Sequence, residues 1–219
     1  MRRTKEDAER TRERILDAAE TVFYDRGVAR TTLEQVAHAA GVTRGAIYWH
    51  FDSKATLLEA VHQRVRQPLT DLLYRMIDDD PPDALARVEA QASDVILRLY
   101  QDDRTRRVMT IVLLKCEQTE EMAAILEHEQ AQRQKFLTSL ARFFARLQDR
   151  GLIAPGVPEV QASALHAFML GLFSDVLRFP AHFPTPDHAL AQVRYFFTIF
   201  APRRGEAPPG GVATSGVLP

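Results

Sequence analysis

The stretch from 27 to 58, GVARTTLEQVAHAAGVTRGAIYWHFDSKATLL, decides the fold. Thr31 and Glu34 have the T-x-x-E spacing of a capping box that starts a helix. Leu33, Val36 and Ala37 then give that helix one apolar stripe at helical spacing. Gly41 stands where a left-handed residue would stop it. Thr43 is placed to cap a second, very short helix from Arg44 to about His50, and Ser53 to cap a third. Helix, glycine turn and short helix form a helix-turn-helix, whose second helix enters the major groove of DNA.

The short helix has the surface that such a role needs. Ile47 and Ala46 can turn inward, while arginine, hydroxyl and imidazole groups surround them for guanine edges and phosphate oxygens. Gly45 costs a helix about 1 kcal/mol against alanine, which makes sense if the backbone must approach another surface closely. Lys54 in the first turn after Ser53 makes, with the helix N-terminus, an anion site suited to a phosphate. The candidate DNA contacts are therefore Thr32, Thr43, Arg44, Gly45, Ala46, Tyr48, Trp49, His50 and Lys54. Phe51 reads as a core aromatic.

From Met1 to about Leu58 the chain resembles the DNA-binding domain of the TetR family of transcriptional regulators. The segments that carry the resemblance are ILDAAETVFYDRGVARTTLEQVA, GVTRGAIYWHF and SKATLL. GVTRGAIYWHF is similar to the form in the AcrR/TtgR-like branch of multidrug efflux repressors. LLKCEQTEEMAAI, 113–125, resembles a KCE…EM stretch of the same branch. The resemblance implies an all-α fold of about nine helices: an N-terminal three-helix domain with the helix-turn-helix, then a helical ligand-binding and dimerisation domain. It thins after about residue 130.

Composition bounds these expectations. The 219 residues allow one or two domains, and 46% hydrophobic content suffices for an ordinary core. No apolar run is expected to reach the ~18 residues that a membrane helix needs. The start, MRRTKEDAERTRERIL, is too polar for a signal peptide, so a cytoplasmic protein without a membrane partner is expected. The single cysteine, Cys116, excludes an internal disulfide and a Cys-based zinc site. A net charge of −1 does not argue against DNA, because local placement governs binding. Arg2, Arg3 and Lys5 lie on an expected flexible arm. The acids Glu13, Asp17 and Glu20 are expected on the solvated face of the first helix.

Beyond residue 58 every segment reads as helix. One apolar face continues from Leu57 to Ile77, with Pro68 favouring a kink. DDDPP (78–82) is a break, and helices are expected over 83–100, 108–116, 120–150, 159–179 and 188–200. The domain limits are 1–58 and 59–201, and the Pro/Gly-rich 202–219 reads as a disordered tail. The last two helices are apolar nearly all round, so they face a partner or a central core. A homodimer through the region of Gly171, Leu172, Phe196 and Phe197 is expected, presenting two recognition helices to half-sites ~34–36 Å apart or somewhat more.

The resemblance further implies a cavity in the C-terminal domain whose occupancy moves the helix that begins at Ser53. Its candidate lining is Leu72, Met76, Ile96, Met109, Val112, Leu113, Cys116, Phe136, Phe168 and Phe173. Aromatics with flexible methionines suit varied lipophilic or aromatic inducers. Where some efflux repressors carry polar residues ahead of the KCE motif, this chain has Met109, Leu113 and Leu114, which implies a more apolar cavity. No G-x-S-x-G, P-loop, G-x-G-x-x-G or H-E-x-x-H motif occurs, and the histidines show no metal-ligand pairing. Neither catalysis, nor a metal, nor a cofactor is expected. The function expected is a ligand-responsive repressor that binds a palindromic double-stranded operator as a dimer and controls an efflux pump operon. Regulation of lipid or aromatic-compound metabolism is the alternative, with a helical small-molecule-binding adaptor behind it.

Overall fold

The computed structural model describes residues 5–79, 81–116 and 123–201, without the side chains of 76–79 and 123–129. The described residues form nine α-helices and a closing 3-10 turn: α1 Lys5–Arg26, α2 Leu33–Ala39, α3 Arg44–His50, α4 Lys54–Asp79, α5 Ala84–Gln101, α6 Asp103–Leu114, α7 Ala123–Asp149, α8 Pro158–Arg178, α9 Pro186–Phe197 and Thr198–Phe200. No strand occurs among them. The side chain of Met76, residues 117–122 of the KCE stretch, Arg2 and Arg3 of the expected arm, and the 202–219 tail fall outside the described residues.

Two apolar clusters organise the molecule. The first gathers Ile15, Leu16 and Phe23 of α1, Val36 of α2, Ile47 of α3 and Leu57, Val61 and Val65 of α4. It also takes Val108 and Ile111 of α6, so it reaches past position 58 and borrows from a later helix. The second gathers α5, α7, α8 and α9 around Phe143, Phe144, Phe197 and Phe200. Phe144 stacks on Phe200 at 4.9 Å, and Phe168 on Phe196 at 4.2 Å. Prolines open both α8 and α9, where a missing N–H costs nothing.

Helix α6 begins earlier than the sequence pattern suggests. Asp102 accepts the Arg104 N–H at 3.0 Å and the Thr105 hydroxyl at 2.6 Å. This cap turns the charged DDRTRR joint into the first helical turns. The Thr105 hydroxyl, chiefly, holds the Asp102 carboxyl below its ordinary range.

Of the acids of α1, Asp17 is exposed and Glu13 partly so, as expected of a solvated face, but Glu20 is buried and all three carry ion pairs to later helices. Glu20 is 3% exposed and pairs with Arg107 at 2.7 Å and Arg104 at 3.2 Å, both on α6. Asp17 meets Arg104 at 2.8 Å and Arg64 of α4 at 2.9 Å, and Glu13 meets Arg64 at 2.8 Å. The helical spacing 13–17–20 puts the three carboxylates on one stripe, onto which α4 and α6 dock. Val28 N–H donates to Lys115 carbonyl at 3.2 Å, and the Lys115 ammonium donates to the Tyr24 carbonyl, tying the far end of α6 to α1 as well.

Helix α8 corrects a further expectation: by length and composition alone it is apolar enough to cross a membrane. Much of that apolar surface lies open on the chain, as described below.

Candidate nucleic-acid interface

The turn between α2 and α3 is fixed from three sides. Gly41 has φ +62°, the left-handed conformation that glycine adopts without strain. Arg14 of α1 donates to the carbonyls of Ala40 at 2.7 Å and Gly41 at 3.3 Å, satisfying the end of α2. Thr43 Oγ1 accepts from Ala46 N–H at 3.1 Å and opens α3. Ile47 is fully buried and anchors α3 by one side chain.

The capping box that opens α2 lies one residue later than the spacing at Thr31 indicated. Thr32 Oγ1 accepts the Gln35 N–H at 3.3 Å, and Gln35 Oε1 accepts the Thr32 N–H at 3.0 Å. Thr31 is buried, and its hydroxyl donates to Gly27 carbonyl at 2.8 Å. Both frames fit the sequence; burial of Thr31 decides between them. Glu34 is thereby freed for another use.

With Ile47 facing in, the outer side of α3 presents Thr43, Arg44, Gly45, Tyr48 and Trp49, the last 71% exposed. A Cβ at Gly45 would meet nothing within 4 Å, so internal packing does not require this glycine. Thr32 is exposed beside them, whereas Ala46 and His50 are half-buried. Lys54 Nζ donates to the Ala29 carbonyl at 3.3 Å, and Ser53 Oγ caps α4 by accepting the Thr56 N–H at 3.1 Å. Phe51 is buried, as a core aromatic should be.

Sequence reasoning missed the role of Glu34. Its carboxylate accepts the Tyr48 hydroxyl at 3.0 Å and lies 3.4 Å from Arg44 Nε. Its own backbone N–H first, and the Tyr48 hydroxyl next, hold its carboxyl below the ordinary range. Ten residues separate Glu34 from Arg44, across a turn, and no helical periodicity signals that contact.

The nine candidate ligand residues whose side chains are described do not form one group. Ile96 is buried in the second cluster, and Met109, Phe136, Phe168 and Phe173 pack against it. Val112, on the other face of α6, and Cys116, just past the end of that helix, pack instead against the first cluster. Leu72 is exposed, and its neighbour Leu73 makes the core contact. Leu113 is half-buried. A groove of about 320 Å³ lies between α1 and α2, lined by Val22, Arg26, Glu34, Gln35, His38 and Ala39, and includes none of the nine.

The four residues expected at the dimer contact differ in exposure within the chain. Leu172 and Phe197 are buried within their own chain, and Phe196 is covered by Phe168. The open apolar ground is Val160 and Leu170 of α8 with Tyr195 of α9 and Ile199 beyond it, Tyr195 being 77% exposed. Gly171 is exposed there, with nothing within 4 Å of an added Cβ.

An anchored short helix with its polar side outward, set on a three-helix platform, defines a helix-turn-helix DNA-binding protein. Residues 15–61 match the family of bacterial regulatory proteins called tetR, and 88–200 match the C-terminal domain of BetI-type transcriptional repressors. The regulator TtgR of Pseudomonas putida is 38% identical over 82% of this chain and 86% of its own. NalD, the secondary repressor of the MexAB-OprM multidrug efflux pump in Pseudomonas aeruginosa, superposes with a TM-score of 0.80 at 38% identity, covering 92% of this chain and 100% of NalD. SmeT, the repressor of the SmeDEF pump of Stenotrophomonas maltophilia, superposes in its triclosan complex with a TM-score of 0.79 at 31% identity, covering 95% and 99%. The chain belongs to the TetR family of transcriptional regulators.

Proposed function

We propose that this protein represses a multidrug efflux pump operon, binding a palindromic operator as a homodimer and leaving it when a lipophilic or aromatic compound binds. What supports the reading above all is that the likeness to efflux repressors spans both halves of the chain. A likeness confined to α1–α4 would have spoken for DNA binding alone. In this reading 1–58 is the DNA-binding domain and 59–201 the ligand-binding and dimerisation domain, working in the cytoplasm.

Thr32, Thr43, Gly45 and Trp49 face the duplex, Arg44 reads a base edge, and Lys54 with the start of α4 meets a phosphate. The open apolar ground of α8 and α9 pairs with its twofold copy. The inducer enters the second cluster among Ile96, Met109, Phe136, Phe168 and Phe173. A ligand that prefers a wider spacing of the two DNA-binding halves lowers operator affinity by its differential binding, typically ~1–3 kcal/mol.

A mobility-shift assay with the DNA upstream of the gene, at about 150 mM salt with nonspecific competitor, tests this. The expected result is a shift that lipophilic drugs such as triclosan release. A shift indifferent to every such compound would overturn the efflux reading and keep the repressor.

A further inference from the structure

The geometry points to Glu34 of α2 as the residue that positions Arg44 to read guanine, an inference that rests on the DNA-reading role proposed above. Arg44 is held from two sides. Glu34 Oε1 lies 3.4 Å from its Nε, and its guanidinium carbon stands 5.6 Å from the centroid of the Tyr48 ring. The Tyr48 hydroxyl donates to the same Glu34 oxygen at 3.0 Å, which fixes the ring in turn.

The atom used matters. The ion pair takes Nε, at the side of the guanidinium, and leaves the Nη1–Nη2 edge for a bidentate pair with guanine O6 and N7. A long, three-quarters exposed arginine otherwise loses rotamer freedom on binding. Held beforehand, it loses less, and a planar fork fixed in direction discriminates bases better than a mobile one. Tyr48 becomes a stacking platform with a committed hydroxyl, where the sequence had suggested a DNA contact. A carboxylate on this face also repels phosphates, so its gain must lie at the base edge, where sequence is read.

The opposite role is a carboxylate that competes with DNA for Arg44, and the two roles differ in sign. The test selects binding sites from randomised duplex DNA with the full-length wild type, Glu34→Ala and Arg44→Ala, then measures affinity on the selected site and on an unrelated duplex. The wild type is expected to prefer guanine at one position of each half-site, and both variants to lose that preference. Glu34→Ala should bind the selected site about tenfold more weakly and the unrelated duplex no more weakly. Glu34→Gln keeps an acceptor for Tyr48 and Arg44 without the charge, and should fall between. Tighter binding of both duplexes by Glu34→Ala, or an undiminished guanine preference, would overturn the positioning role. A wild type that selects no sequence would instead refute the DNA reading beneath it. Thermal midpoints near that of the wild type separate loss of positioning from loss of fold.

Discussion

The two halves of this molecule expose opposite kinds of surface. The N-terminal half buries its apolar residues in a core shared with α6 and turns out arginine, tyrosine and one tryptophan from a seven-residue helix capped by Thr43. The C-terminal half turns out Val160, Leu170, Tyr195 and Ile199 from its last two helices and the turn that follows. A polar exposed face suits a hydrated, charged partner, whereas open apolar ground on long helices suits a copy of the same chain. The difference teaches that the two recognition tasks are kept apart, and α4 and α6 are helices that touch both cores.

The largest expected effect tests the apolar side of this contrast. Leu170→Asp with Tyr195→Asp places four carboxylates across a twofold contact, each costing several kcal/mol if buried without a partner. The variant should sediment as a monomer at micromolar concentration and bind operator far more weakly, since it presents one recognition helix. A variant that stays dimeric would show that the partner is met elsewhere.

The next effect tests the join. Glu20→Ala removes a nearly buried carboxylate from between Arg104 and Arg107. Breaking a fully buried pair costs about 3–5 kcal/mol. Both arginines are more than a third exposed and can turn to water, so about 1–3 kcal/mol is expected in urea unfolding. The operator complex of this variant should also respond less to an inducer, because α6 is held less firmly to α1, by Asp17 and the Lys115 contacts alone among these polar ties. An unchanged inducer response in the destabilised variant would show that coupling runs through α4 alone.

A smaller effect belongs to α3. Thr43→Ala removes the cap of a helix held by one buried side chain, and about 1 kcal/mol of stability with it. Operator affinity should fall more steeply than stability, since fraying displaces Arg44 and Gly45. Equal losses in both would mean that tertiary contacts, not the cap, order α3.

How much of this was legible follows from the range of the forces involved. Gly41, Thr43 and Ser53 announce themselves because caps and left-handed turns act over three or four residues. The helix count was readable for the same reason, and the family from the resemblance of whole segments such as GVTRGAIYWHF. The one-residue offset from Thr31 to Thr32 was not, because burial of Thr31 settles it and burial is a property of the fold. Glu20 looked like a solvated acid because its partners, Arg104 and Arg107, lie more than 80 residues away. The candidate ligand set separated for the same cause: Met109 and Val112 are near in sequence but belong to different cores. Leu172 and Phe197 illustrate the limit of composition, since a helix apolar all round does not tell which apolar side stays open.

The smallest effect sets a titration in the C-terminal half. His166 of α8 is half-buried, its ring 5.9 Å from that of Phe136 on α7. Burial chiefly, and the positive charge of Arg133 next, hold its pKa below the usual 6.5. With the folded value depressed, the unfolded chain binds more protons in the window below 6.5, so stability falls as pH drops through that window and is full above it. His166→Gln should therefore remove part of the loss in melting temperature between pH 7 and pH 5. An inducer packing against Phe136 and Phe168 would shield the imidazole further and steepen the loss in the wild type. If ligand steepens it in the wild type and not in His166→Gln, the inducer sits beside α7 and α8. An equal slope in both would send it to the other face of α6.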